Sequence, residues 1–227
     1  MIFDCDGVLI DSEPLASRVL AEAIHRVSGV TINPHEVLVA FTGASAEDTQ
    51  HIMRNDYRIS DPAAVLADYQ THLFPEFHRQ LREMPGIAQV LESLDIRKCV
   101  ASNSKLERLV NSLGILPIWR HFAPHVYSAD MVARGKPAPD LPLLCLERCG
   151  VVPERALFVD DSPHGIEAAR AAGVRAVGFI DLNDPRPGRE DILLAAGASN
   201  IAYGASELHD IIVDIHSRER IQTPVHA

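Results

Sequence analysis

The sequence predicts an α/β fold, with a parallel, doubly wound sheet and a helical insert after its first strand. Three observations predict it. Short apolar runs alternate with helical segments over the second half of the chain. From about 13 to 82 helical patterns follow one another with no strand between them. Three of the predicted strands end in polar, chemistry-bearing residues, as strands of such sheets do at a ligand cleft.

Met1-Ile2-Phe3 opens a short strand that ends at Asp4. Only these residues precede Asp4, a short lead-in that leaves a longer natural chain open. Ser12 reads as a helix N-cap with Pro14 just inside, and Leu15, Val19, Leu20, Ala23, Ile24 and Val27 form the apolar stripe that Gly29 terminates. Pro34 to Phe41, Ser45 to Asp56 and Asp61 to Leu81 read as further helices, Ser60 and Pro62 marking the start of the last. After Pro85-Gly86 the alternation returns. Cys99-Val100-Ala101 is a strand, and Ser104 caps a helix reaching Leu113-Gly114. His125-Val126-Tyr127 is a strand, and Pro139-Asp140 starts a helix ending near Cys149-Gly150. Ala156-Leu157-Phe158-Val159 is a strand, Ile166 to Ala172 a helix closed by Gly173, and Arg175-Ala176-Val177-Gly178 a strand. The polar tail after Ser217 is expected to fray.

The 227 residues are 47% hydrophobic and 23% charged, an ordinary soluble composition that suits one domain plus a smaller insert. A net charge of -10 with no Lys/Arg cluster repels phosphate backbones, so nucleic acid is not an expected partner. A small phosphorylated metabolite remains allowed, because a local cation overrides the global field. No apolar run approaches the ~20 residues of a membrane span, and Asp4 and Asp6 stand where a signal peptide needs apolar residues. The four cysteines form no C-x-x-C motif, and Cys145 and Cys149 read as buried fillers. A cytoplasmic monomer or weak homo-oligomer is the expectation.

The strand-end runs are Asp4-Cys5-Asp6-Gly7, Ser102-Asn103-Ser104-Lys105 and Asp160-Asp161-Ser162, with Gly135-Lys136-Pro137 between the last two. If the sheet forms, they converge on one cleft. Carboxylates so gathered repel unless a cation binds, and an oxygen-only set suits Mg²⁺ rather than zinc. A magnesium ion with open positions invites a phosphate, which Lys136 and the Ser102 hydroxyl would clamp. Asp4, in line with phosphorus, can be a nucleophile, and Asp6 can protonate the leaving oxygen and later deprotonate water. Ser104 is taken as the helix cap. Asn103 touches either the phosphate end of the substrate or only its loop.

Four runs resemble the haloacid dehalogenase superfamily, in the branch of β-phosphoglucomutase and small sugar-phosphate phosphatases. They are Phe3-Asp4-Cys5-Asp6-Gly7-Val8-Leu9-Ile10-Asp11-Ser12, Ala101-Ser102-Asn103-Ser104, Gly135-Lys136-Pro137-Ala138-Pro139-Asp140 and Val159-Asp160-Asp161-Ser162-Pro163-His164-Gly165-Ile166. The resemblance implies a HAD-like Rossmannoid core over residues 1–12 and 83–227 and an inserted helical, C1-type cap domain over 13–82. The cap would hinge near Asp11-Ser12 and Arg82-Pro85. The resemblance further implies an aspartyl-phosphate mechanism with Asp4 as nucleophile and Asp6 as acid/base. Ser102 and Lys136 would bind phosphate. Mg²⁺ would be held by Asp4, the Asp6 backbone carbonyl and Asp161, with Asp160 direct or through water. The expected substrate is a sugar phosphate or similar small phosphomonoester.

Departures narrow this. The mutase has a His where Ala16 stands, and a Lys and an Arg where Thr42 and Ala46 align, so hydrolysis is favoured over isomerisation. Asp6 argues against dehalogenation, and the lack of any Lys from Glu13 to Leu81 argues against a Schiff-base phosphonatase. His164 is expected to position its loop. In the cap, Gly43 and Ser45 of the loop Thr42–Glu47 are candidates for specificity, though Ser45 also reads as an N-cap. Arg18, His51 and Arg54 are further candidates.

Overall fold

The apolar runs pair as the alternation demands. In a computed structural model, which describes residues 1–44 and 46–222 but not the side chains of Ala46 or 218–222, six strands form one parallel sheet. They are β1 (Ile2–Phe3), β2 (Cys99–Ser102), β3 (Val126–Ser128), β4 (Leu157–Asp160), β5 (Arg175–Ile180) and β6 (Asn200–Tyr203), in the order β3-β2-β1-β4-β5-β6. Ile2 lies opposite Cys99 on one side and Phe158 on the other, so the two-residue β1 is central. Strands β1, β2 and β4 are buried along their whole length, as expected where helices cover both faces of a parallel sheet.

Among the described residues the α-helices are α1 (Glu13–Ser28), α2 (Pro34–Phe41), α3 (Ala46–Asn55), α4 (Pro62–Gln80), α5 (Ile87–Ser93), α6 (Leu106–Asn111), α7 (Asp140–Cys149), α8 (Pro163–Ala171), α9 (Arg189–Ala196) and α10 (Gly204–Gln222). On one face of the sheet Phe3, Val100, Val159 and Val177 pack with Ile87 and Leu91 of α5 and Leu208 and Ile212 of α10. On the other, Ile2, Cys99, Ala101, Phe158 and Ala176 meet Leu141, Cys145, Ile166 and Leu193 of α7, α8 and α9. Alternate strand residues thus supply opposite cores. All four cysteines are buried free thiols.

Helices α1 to α4 share an apolar cluster of their own around Leu20, Ala23, Ile24, Val37, Phe41, Met53 and Val65, while Leu15 and Val19 of α1 join the first sheet core. The end of α4, with Leu73, Phe77 and Leu81, rejoins the first sheet core. Two adjacent crossings join this unit to the sheet. Asp11 N–H donates to the Arg82 carbonyl at 3.0 Å, and Met84 N–H to the Leu9 carbonyl at 2.9 Å.

Several local expectations change. The helix expected from Asp61 begins at Pro62, with Asp61 as its N-cap, its carboxylate accepting from Ala64 N–H at 3.0 Å. Ser12 does occupy the N-cap of α1 but makes no capping hydrogen bond. Ser104 is not the cap of α6; Lys105 holds that position, and the helix stops at Asn111, followed by 3-10 turns over Leu113–Ile115 and Pro117–His121. Both hydroxyls are drawn to Asp6 instead. Helices α5, α9 and α10 and strand β6 escape the periodicity reading. Helix α10 continues through Gln222, past the expected fraying at Ser217, and 223–227 lie outside the described residues. Among the described residues no helix is long and apolar enough to cross a membrane.

Candidate active site

The order in which strands are added reverses between β1 and β4, which run parallel, and the carboxyl ends of those strands carry Asp4, Asp160 and Asp161. Asp4 N–H still bonds to the Val159 carbonyl at 2.8 Å, so the sheet fixes where its side chain begins. Lys136 Nζ lies 2.8 Å from Asp4 Oδ1 and 2.7 Å from Asp160 Oδ2, bridging the two strand ends. Burial would lower the Lys136 pKa, but Asp160 and Asp4 outweigh it and raise it. Asp160 is fully buried, and Ser162 N–H donates to its other oxygen at 2.8 Å. Gly165 makes room for it, since a Cβ there would lie 1.7 Å from Asp160 Oδ2. Gly7 turns the chain after Asp6 with φ +77°, and a Cβ on it would press within 2.9 Å of the Asp161 carboxylate.

Asp6 is held by three donors. Ser12 Oγ donates at 2.6 Å, Ser104 Oγ at 2.8 Å and Arg108 Nη2 at 3.0 Å. Burial alone would raise its pKa, but Arg108 and the hydroxyls outweigh burial and keep the carboxyl below its usual range. Arg108 in turn lies over the Phe77 ring of α4, 5.2 Å from its centroid. Ser102, at the end of β2, lines the cleft, with its hydroxyl accepting from Ser104 N–H at 3.1 Å. The Asn103 amide is committed to its loop rather than to a ligand. It donates to the Lys136 carbonyl at 2.9 Å and accepts from Lys136 N–H at 2.8 Å, so it positions the lysine.

The residues fit a magnesium ion. Asp4, Asp160 and Asp161 are buried and offer oxygens that all lie within 4.8 Å of one another. Asp4 Oδ1 accepts no well-aligned hydrogen bond despite its burial. Burial, with Asp160 nearby, pushes Asp4 up to about 7, and burial, with Glu13 and Asp4, pushes Asp161 up to about 8. A hard divalent cation would relieve all three, and the donor set is oxygen only.

Above this floor a cleft of about 790 Å³ opens between the sheet and the helical unit. Asp4, Asp6, Ser102, Asn103, Lys136 and Asp161 line it. Of the expected specificity residues, Gly43 lines it, while Ser45 lies outside the described residues. Arg18, His51 and Arg54 do not. Helix α1 turns Glu13, Ala16, Ser17 and Leu20 to the cleft, leaving Arg18 on another face with Glu76 at 3.3 Å and Gln80 at 3.1 Å. On α3 it is Thr49 that lines the cleft, so at 100° per residue His51 and Arg54 point elsewhere, to Asn55 and Gln50. His164 lines the cleft and its N–H donates to Ser162 Oγ at 3.3 Å.

Three arginines in the lining were not singled out from the sequence: Arg108, Arg186 and Arg189. Arg108 gives no local signal, since only the fold brings it to Asp6. Arg186 and Arg189 do, because their Pro- and Gly-containing segment follows a predicted strand's carboxyl end, where the other site residues also lie.

A family model described as haloacid dehalogenase-like hydrolase matches residues 1–179. The phosphorylated carbohydrates phosphatase of Thermotoga maritima is 33% identical over 209 residues, covering 87% of this chain and 91% of the relative. Among solved structures, a conserved haloacid dehalogenase-like protein of unknown function from Agrobacterium tumefaciens superposes with a TM-score of 0.83 at 34% identity, over 96% of this chain and 97% of that one. A family hydrolase from Deinococcus radiodurans, solved with bound phosphate and sodium, gives 0.83 at 25% identity, over 95% of each chain.

Proposed function

This chain belongs to the haloacid dehalogenase-like hydrolase family, and from that premise we propose that it is a Mg²⁺-dependent phosphatase of a small phosphorylated metabolite, a sugar phosphate or similar monoester. The carrying observation is the meeting of Asp4 with Lys136 at 2.8 Å, beside Asp160 and Asp161, on the floor of a cleft far larger than a phosphate. Similarity to a phosphatase of phosphorylated carbohydrates supports the substrate class.

In this reading an Asp4 carboxylate oxygen attacks phosphorus and the ester P–O bond breaks, giving an aspartyl-phosphate on Asp4. Asp6 gives its proton to the leaving oxygen. A water then attacks the phosphorus, Asp6 takes its proton, the bond to Asp4 breaks and inorganic phosphate leaves. With Arg108, Ser12 and Ser104 around it Asp6 is ionised, the form the second step requires. To protonate the leaving oxygen it must first take up a proton, from solvent or from the substrate's phosphate monoanion, as the substrate displaces some of these partners. Lys136 and Ser102 hold the phosphoryl oxygens, and Asn103 keeps Lys136 in place. Asp4, Asp161 and the Asp6 carbonyl would hold the magnesium ion, with Asp160, engaged on both oxygens, behind them. Bound Mg²⁺ would supply charge neutralisation on the phosphoryl group.

Residues 13–82 serve as the cap, closing on the paired crossings at Asp11–Arg82 and Leu9–Met84. Ala16 and Thr42 line the cleft without offering a cation, which favours hydrolysis over a mutase reaction. The test is turnover of p-nitrophenyl phosphate with Mg²⁺ and with chelator. Asp4→Asn is expected to abolish the metal-dependent turnover, and full activity in that variant would refute the mechanism.

A further inference from the structure

The loop after β5 and the first residue of α9 bring two arginines, Arg186 and Arg189, into the cleft that the mechanism above does not use. Arg186 is fixed by its own loop, with Nε donating to Asp184 Oδ1 at 2.8 Å and Nη2 to Asp184 Oδ2 at 2.8 Å. That fork pairing sets its plane. Its other contacts are long, to Glu13 Oε2 at 3.4 Å and Asp161 Oδ2 at 3.5 Å. Arg189 donates from Nη2 to the Asp161 carbonyl and stands 3.8 Å from Asp161 Oδ2. Its Nε, in a side chain only 11% exposed, makes no well-aligned hydrogen bond; its nearest acceptor is Asp184 Oδ2 at 3.4 Å, an oxygen the Arg186 fork already holds. A buried donor left so is costly unless something supplies an acceptor. In the reading above Asp161 is a metal ligand, so its carboxylate is not the acceptor for which these two groups are placed.

We infer that Arg186 and Arg189 form a second anion subsite, which takes a carboxylate or second phosphate on the substrate's leaving group. The inference rests on the phosphatase reading and narrows it to doubly anionic substrates. Planar guanidinium forks match both kinds of anion. In a chain of net charge -10, a multiply charged substrate needs cations built into the site itself. Leu20, Val37 and Phe41 line the helical side of the same cleft and offer cover for a carbon skeleton between the two anions.

Glucose 6-phosphate, 6-phosphogluconate and glucose 1,6-bisphosphate share a carbon skeleton and differ in the second anion. Their binding to the Asp4→Asn protein, with Mg²⁺, is read by titration calorimetry. One of the two doubly anionic probes is expected to bind about tenfold tighter than glucose 6-phosphate, and which one separates carboxylate from phosphate. Adding Arg186→Gln and Arg189→Gln should shrink that ratio towards one, with Arg186→Lys in between. Equal binding of all three probes, or a ratio that survives the double substitution, overturns the subsite. If the double variant does not fold, Arg189→Gln alone reads the same ratio. The phosphatase reading fails separately, if wild-type protein with Mg²⁺ turns over none of these probes and no p-nitrophenyl phosphate.

Discussion

Asp6 is placed by three partners from three parts of the chain, Ser12, Ser104 and Arg108, and its proposed role makes it sensitive to the loss of its charge. Asp6→Asn is expected to lower kcat by about 10²–10⁴-fold, as removal of a general acid/base does, while phosphate binding persists. Steady-state kinetics checks it, and an unchanged kcat would remove Asp6 from the mechanism. Gly165 makes a purely steric prediction. A Cβ there would sit 1.7 Å from Asp160 Oδ2 and push the carboxylate off Lys136. Gly165→Ala should cost about 1–3 kcal/mol in denaturant unfolding, as forced overpacking does. At this scale the sequence was readable where spacing carries chemistry. Asp4, Asp6, Ser102 and Asp161 stand at or just past strand ends, Lys136 on the loop before α7, and all line the cleft. The cap candidates were not readable, because which face of α1 or α3 meets the cleft depends on how the helical unit sits on the sheet.

Secondary elements were legible where apolar periodicity or punctuation was strong. Helix α2 begins and ends where Pro34 and Phe41 suggest. Helix α5 spans only seven residues, and α9 has apolar side chains on its exposed face, with Ile192 44% and Leu194 46% exposed, so neither shows a clean stripe. Strand β6 lies at the sheet edge with both ends exposed, which blurs its pattern. Serines misled more than apolar residues did. A Ser before a helix reads as a cap, yet Ser12 and Ser104 donate to the half-buried Asp6 carboxylate, a charged acceptor and so a stronger partner than a backbone amide. Asp61, in contrast, caps α4 by its side chain. Asp61→Ala should therefore lower stability by about 1 kcal/mol, seen as a lower urea midpoint at unchanged slope. No shift in midpoint would mean that α4 is held by packing alone.

For the whole molecule, the buried carboxylates set how stability follows pH. Asp4 and Asp161 ionise in the folded, metal-free protein only near 7 and 8, well above unfolded aspartate. Between the unfolded and folded values the native state holds more protons, so stability falls as pH rises towards 8. Asp6 works in the opposite sense, but below the ordinary aspartate range. In chelator the melting temperature should fall from pH 5 to pH 8, and Mg²⁺ should flatten that slope by binding the ionised cluster. Equal slopes with and without the metal would argue against a cation at these three residues. The order of the strands also governs how the molecule is made. Strand β1 lies between partners that begin at Cys99 and Leu157. During synthesis at about 5–20 residues per second, the segment bearing Asp4 therefore waits on the order of ten to thirty seconds for its second neighbour. Through that interval its apolar edge is unpaired. Its pairing is among the most non-local contacts in the fold, so assembly of the catalytic floor is expected late in folding.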